Sequence, residues 1–224
     1  MNTDSAEPIY YPVVLNIAGR RCAVIGGGQV ALRKVNMLLE AGAKVTVISP
    51  NLCPDLIQMA VRGEIHTTDR EYRTGDLEKV FVAIAATDNS EINEQVVTEA
   101  REGSVLVNVV DDAENSDFIV PSYFRRGSLS IAVSTSGESP ALARKIRSIL
   151  EKEISADYST LVDIISEVRT ELKRQNIIVD SNGWQEALDI EHMFDFLRIG
   201  ENEKAKFLLL DNLITKQRQT GTQE

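Results

Sequence analysis

The residues best suited to chemistry begin with a glycine pattern. In "VIGGGQVALRK", Gly26, Gly28 and Ala31 fit G-x-G-x-x-(G/A) where a strand-like run gives way to a helix-like one. There the first glycine permits a tight turn, the second lets a pyrophosphate approach the backbone, and the third position must be small for helix to pack on sheet. An anion would lie on the helix N-terminus, where unpaired amides and the helix dipole favour negative charge. Gly26, Gly27, Gly28, Gln29, Val30 and Ala31 are therefore candidate dinucleotide contacts, the plainer alternative being a structural turn. Arg33 and Lys34 follow early in the same helix. Cations there oppose the dipole by about 0.3–1 kcal/mol when exposed. A nearby anion would offset that cost; otherwise these are two solvated charges.

Further along, chemistry-bearing residues recur at strand ends, where open parallel sheets collect their ligands. Ser49 stands where an acid would hold the ribose 2′-hydroxyl of NAD; it can bond that hydroxyl but cannot repel a 2′-phosphate. Pro50, Asn51 and Leu52 offer no arginine to clamp such a phosphate, so NAD is only modestly favoured over NADP. Ala86 leaves space for a cofactor, and Thr87 is placed to hydrogen-bond its ribose or nicotinamide side. One of Asp88, Asn89 and Ser90 is expected to cap the next helix. Asp111 and Asp112 close "VLVNVVDD". A carboxylate there can face a ligand or satisfy turn amides. In "STSGESP", Thr135 and Ser136 suggest a substrate-edge loop at a helix start, able to hold carboxylates.

The elements that must position these residues alternate up to about Asp112. "RCAVIG", "KVTVIS", "EIHTTD", "VFVAIAA" and "SVLVNVV" have strand character, and "QVALRKVNMLLEAG" and "SEINEQVVTEAREG" have helical spacing and end in glycine. Alternation of this kind implies right-handed crossovers and a parallel sheet covered on both faces. The third connection is irregular: "PDLIQMAVRG" is its helix candidate and "REYRTGDLEK" has loop and turn character. From Asp117, "DFIVPSYF" and "SLSIAVST" are strand candidates around the turn-like "RRGS". A helix follows in "ESPALARKIRSILEKEI", with Ser139 at its cap and Pro140 at its first position. Three amphipathic helices are expected after Ile154, in "YSTLVDIISEVRTELKR", "WQEALDIEHMFDFLRIG" and "ENEKAKFLLLDNLI", before a frayed "TKQRQTGTQE".

Composition excludes several function classes. The chain has 224 residues, 43% hydrophobic and 26% charged, with apolar runs too short to cross a membrane. Its start, "MNTDSAEPIYYP", lacks the basic and apolar regions of a secretory signal. Two isolated thiols, Cys22 and Cys53, suit a reducing cytoplasm. His66 and His192 lie far apart without a nearby cysteine, so no metal site is expected. A net charge of -10 argues against nucleic acid as partner. Between Phe118 and Leu150, however, Arg125, Arg126, Arg144, Lys145 and Arg147 face one acid, Glu138. This basic island suits an anionic small molecule or an acidic neighbouring subunit; a solvated helix face is the plain alternative.

Four blocks in order, "GRRCAVIGGGQVALRKVNMLLEAGAKVTVISP", "VAIAATDNSEIN", "VNVVDDAENSDFIVPS" and "IAVSTSGESPALARKIR", resemble the precorrin-2 dehydrogenase family over roughly Tyr10 to Ile154. That family also supplies the N-terminal module of siroheme synthases. The resemblance implies NAD-dependent oxidation of precorrin-2 to sirohydrochlorin, on the route to siroheme or cobalamin. It implies an α/β fold with a Rossmann-type parallel sheet over 1–115, a small strand-containing dimerisation domain over 116–153, and an α-helical C-terminal domain over 154–224. Its functional aspartate falls on the first acid after "NVV", here Asp111, as proton acceptor. Thr135 stands where some members have serine. The basic island gains a purpose as well, since precorrin-2 carries several acetates and propionates; Arg125, Arg126 and Lys145 join Thr135 and Ser136 as substrate-binding candidates. Some members insert ferrous iron, so a combined dehydrogenase and ferrochelatase is the alternative; no methyltransferase portion is expected. An NAD(H)-sensing module without catalysis is the third reading, and it leaves Asp111 and the basic island without a role. A homodimer is expected, because the two apolar strands after Asp117 have too little around them to cover both faces.

Overall fold

The computed structural model describes residues 9–220. The polar start "MNTDSAEPIYYP" and the tail "TKQRQTGTQE" lie partly outside this range. The described chain divides into two compact units, Met1–Val120 and Pro121–Glu224.

In the first unit, strands β1 (Arg21–Ile25), β2 (Lys44–Ile48), β3 (His66–Thr68), β4 (Val82–Ala85) and β5 (Leu106–Val109) form one sheet in the order β3-β2-β1-β4-β5. All four pairings are parallel. This is the doubly wound order, with the switch point between β1 and β4. The strands are continuous β-branched and alanine runs because both faces are covered. On one face α1 (Gln29–Glu40) and α2 (Pro54–Val61) pack Ala31, Val35, Leu38 and Leu56 against Val24, Val47 and Ile84. On the other, α3 (Ser90–Glu102) packs Val96, Val97 and Ala100 against Ala23, Ala83 and Val107. Gly42 after α1 has φ +77° and Gly103 is the C-cap of α3, as their glycines suggested.

The irregular third connection has no helix after α2, and its order comes from one acid. Glu99 on α3 accepts hydrogen bonds from the amides of Gly75 and Leu77, both at 3.0 Å, and a short one from the Tyr72 hydroxyl. Arg70 clamps Asp76 through both guanidinium nitrogens at 2.8 and 2.7 Å. Tyr72 and Leu77 are thereby buried under the sheet. Removing Glu99 strands three donors at once. Glu99→Ala is expected to lower stability by about 2–3 kcal/mol, measured by urea unfolding; an unchanged midpoint would remove the acid from this role.

Residues 116–120 stay with the first unit. The Asp117 carboxylate accepts from the Val107 amide at 2.9 Å, and the Asn108 side chain donates to the Phe118 carbonyl at 2.9 Å. The strand expected from Asp117 therefore begins only at Ser122, after Pro121, which has no amide to give a ladder. In the second unit, β6 (Ser122–Arg126) and β7 (Leu129–Val133) pair antiparallel, with Arg126 opposite Leu129. "RRGS" is accordingly half strand: the turn is Gly127–Ser128 alone. Gly127 has φ +54°, and a Cβ there would meet Ser159 Oγ at 2.0 Å. Helix α4 (Pro140–Glu153) starts as expected, with Ser139 Oγ accepting from the Leu142 amide.

The helical remainder comprises α5 (Asp157–Arg174), α6 (Ser181–Ala187), α7 (Ile190–Arg198) and α8 (Asn202–Thr220), joined around Leu161, Val168, Met193, Leu209 and Leu213. "WQEALDIEHMFDFLRIG", expected as one helix, is two: the Asp189 side chain accepts from the His192 amide and starts α7 afresh. Within the tail expected to fray, α8 continues to Thr220, and the residues after it lie outside the described range. Among the described residues no helix is long and apolar enough to cross a membrane.

Candidate active site

The glycine turn sits at the end of β1, beside the switch point. Its three glycines are required for different reasons. Gly26 has φ +121°, and a Cβ there would come within 2.3 Å of the Ala86 carbonyl oxygen. At Gly27 a Cβ would meet the Asn51 carbonyl at 1.9 Å, while the Gly27 carbonyl accepts from the Cys53 amide at 2.8 Å. The turn is thus locked against the loop after β2. Gly28 is different. Its backbone is extended, with φ -86° and ψ -170°, and a Cβ there would meet nothing within 4 Å. No side chain caps α1, and no acid occupies its first turn, whereas Asn89 caps α3. Free amides, open space at Gly28 and a buried Ala31 are what a pyrophosphate needs at this position. The residues fit a dinucleotide.

Ser49 directly follows β2 but does not face outward. It is buried, donating to the Asn51 carbonyl at 2.8 Å and receiving the Asn51 amide at 3.3 Å. Its hydroxyl proton is therefore committed to the loop, where Pro50 and Asn51 are exposed. The Thr87 hydroxyl is similarly occupied, receiving the Asn89 amide at 2.9 Å. Of the three cap candidates it is Asn89 that caps, accepting from Ile92.

Beyond β5 the two aspartates have separate situations. Asp112 accepts from the Asn115 amide at 3.1 Å and from its side-chain nitrogen at 2.8 Å. These bonds hold its carboxyl below the usual range. Asp112 is the aspartate that satisfies a turn. Asp111 is exposed, at φ +61°, and makes no hydrogen bond or ion pair among the described residues. Aspartate tolerates the left-handed region better than most residues. Its charge acts on Lys34 of α1.

In the second unit, Thr135 and Ser136 precede α4. Thr135 Oγ1 accepts from the Ser139 amide at 3.0 Å, and Ser136 has φ +54°. The basic island is weaker than its count suggested. Arg126 reaches Glu151 at 3.8 Å and also donates to its carbonyl at 3.2 Å, while Arg147 pairs with the same carboxylate at 2.5 Å. Glu151 lies one residue past the counted segment, so two of five cations are engaged within the unit. Arg125, Arg144 and Lys145 are exposed without an ion pair among the described residues. Burial pushes the Cys22 thiol up to about 11; neither cysteine is in a disulfide. Among the described residues no three of His, Cys, Asp and Glu cluster as metal ligands would.

Residues 13–122 match the family model described as putative NAD(P)-binding, and 126–153 that of the sirohaem biosynthesis protein central segment. Over 13–153 the chain is thus similar to a putative NAD(P)-binding family and then to the central segment of sirohaem biosynthesis proteins. The siroheme synthase of Chromobacterium violaceum is 40% identical over 182 residues, covering 80% of this chain and 39% of that one. The siroheme synthase of Thioalkalivibrio sulfidiphilus is 42% identical over 164 residues, 73% of this chain and 34% of that one. The chain thus spans well under half the length of these relatives. Among solved structures, SirC, a precorrin-2 dehydrogenase, shares the fold with a TM-score of 0.68 at 24% identity, covering 92% of this chain and 100% of that chain.

The packing role of Gly27 was the one missed in the sequence. The motif treats that position as free, whereas the Asn51 carbonyl and the Ser49 hydroxyl leave no room for a Cβ there.

Proposed function

We propose that this protein oxidises precorrin-2 to sirohydrochlorin with NAD, and that Asp111 receives the proton. The observation that carries this reading is the unbonded Asp111 carboxylate, at the same sheet edge as the open glycine turn. The name of the similar SirC chain and the siroheme synthase relatives point to the same substrate. Bound NAD supplies a hydride acceptor at the carboxyl edge of the sheet. The α1 amides would hold its pyrophosphate, with Gly28 admitting it to the backbone. Asp111, exposed and without a competing donor, accepts the proton that leaves the macrocycle as the hydride departs. Thr135, Ser136, Arg125 and Lys145 are assigned to the substrate's carboxylates, while Arg126 serves first as a brace for α4. Anaerobic incubation with precorrin-2 and NAD tests the reading: the sirohydrochlorin spectrum should appear together with NADH, and absence of both overturns it. Ferrous ion added afterwards reports whether chelation follows.

NAD is expected to bind more tightly than NADP, because neither Ser49 nor exposed Asn51 can neutralise a 2′-phosphate. Asn51→Arg should improve NADP binding about tenfold by adding a guanidinium for that group. Calorimetric titration of both nucleotides checks this, and a parent that prefers NADP overturns it.

The reading also divides the second unit into a dimerisation part up to residue 153 and a helical part beyond. Between Pro121 and Glu153 only Phe124 and Ala143 are buried, and Leu142 and Ile149 are each 51% exposed. A two-stranded sheet so thinly covered is marginal alone. A symmetric homodimer through this segment is expected, and light scattering that gives a monomer at micromolar concentration excludes it.

A further inference from the structure

Lys34 has no part in the site so far. On α1 it follows Ala31 by three residues, adjoins Val35 and precedes Leu38 by four, so it runs along the flank of the stripe that α1 buries. Val110 and Phe118, on either side of the Asp111 turn, pack into the same cluster as Ala31, Val35 and Leu38. Val110, next to Asp111, thus lies on the sheet face that α1 covers, and the Asp111 charge is near enough to act on Lys34. Lys34 is half-buried, yet it makes no hydrogen bond or ion pair among the described residues, and neither does Asp111. Partial burial lowers the Lys34 pKa, Arg33 lowers it further, and the Asp111 charge opposes both. Lys34 is thus a partly desolvated cation lacking a contacting anion, beside a carboxylate that would repel an acidic substrate.

We propose that Lys34 binds a carboxylate of the tetrapyrrole beside Asp111. This rests on the precorrin-2 reading above. The charge balance favours it: an acid positioned to take a proton from a polycarboxylate needs a neighbouring cation, or the substrate is pushed away from its base. The other anionic oxygens within the site are those of the dinucleotide. Their place is the α1 N-terminus, and Lys34 is five residues into the helix from Gln29, about 8 Å along the axis at 1.5 Å per residue. The side chain leans back toward that end, so the two anion sources must be separated by experiment.

Sirohydrochlorin, which carries the same acidic substituents, and NAD serve as separate probes. Each is titrated into the full-length protein and into the Lys34→Met, Lys34→Gln and Lys34→Arg variants, with circular dichroism to verify folding. Met and Gln retain a stem but no charge. Both should weaken sirohydrochlorin about tenfold or more at low salt, leave NAD affinity unchanged and raise the KM for precorrin-2 more than they lower kcat. Arg should restore most of the affinity, and added salt should shrink the difference. Parent-like sirohydrochlorin affinity in a folded Met or Gln variant overturns the proposal. So does weakened NAD with unaltered sirohydrochlorin binding, which would assign the ammonium to a phosphate. A parent protein that binds no sirohydrochlorin overturns the tetrapyrrole reading itself, and the proposal with it.

Discussion

Asp111→Ala is expected to lower precorrin-2 turnover by about 10²–10⁴-fold, the scale for loss of a positioned general base. NAD affinity should scarcely change, because the dinucleotide contacts lie in the turn after β1 and Asp111 in the turn after β5. Asp111→Asn is the sharper variant, since asparagine accepts φ +61° as readily as aspartate and removes only the ionisable group. Asp112 should behave in the opposite manner. Its carboxylate ties the turn to Asn115 by two hydrogen bonds, so Asp112→Ala should cost about 1–3 kcal/mol of stability and little turnover per folded molecule. Steady-state rates and urea unfolding on the same preparations separate the two effects. An Asp111→Asn enzyme with parental turnover would move the base elsewhere.

Substitution at Gly28 should abolish NAD binding without unfolding the protein. Its extended backbone suits any residue, and a new Cβ would enter open space. The obstruction would be to the ligand alone, because the pyrophosphate approaches the backbone there. Gly28→Leu is therefore expected to keep the parental melting temperature and lose at least about a hundredfold in NAD affinity, equivalent to roughly 2.7 kcal/mol at 1.36 kcal/mol per tenfold. Gly26→Ala and Gly27→Ala should fail differently. Their methyl groups would press on the Ala86 and Asn51 carbonyls, at 2.3 and 1.9 Å. Backbone must move to relieve such contacts, so both variants should unfold more easily. Calorimetry beside thermal melts discriminates the cases; a Gly28→Leu protein that takes NAD normally would place the pyrophosphate away from this turn.

The sequence by itself determined the parallel sheet, the dinucleotide turn and the position of the strand-end acids. Those features rest on local periodicity, on the conformations open to glycine, and on the rule that ligands gather beyond parallel strands. It could not separate Asp111 from Asp112, which are adjacent and of one type; the Asn115 bonds and a left-handed backbone distinguish them only once the turn is folded. Ser49 stood at the expected place along the chain, but the direction of its hydroxyl depended on the Asn51 loop closing over Gly27. Arg126 and Arg147 looked free until α4 returned Glu151 to them. Lys34 shows the same division. Its charge was legible, but its value to a ligand depends on how much water surrounds it and which charge stands near, and the fold decided both by placing α1 on the sheet face to which Val110 belongs.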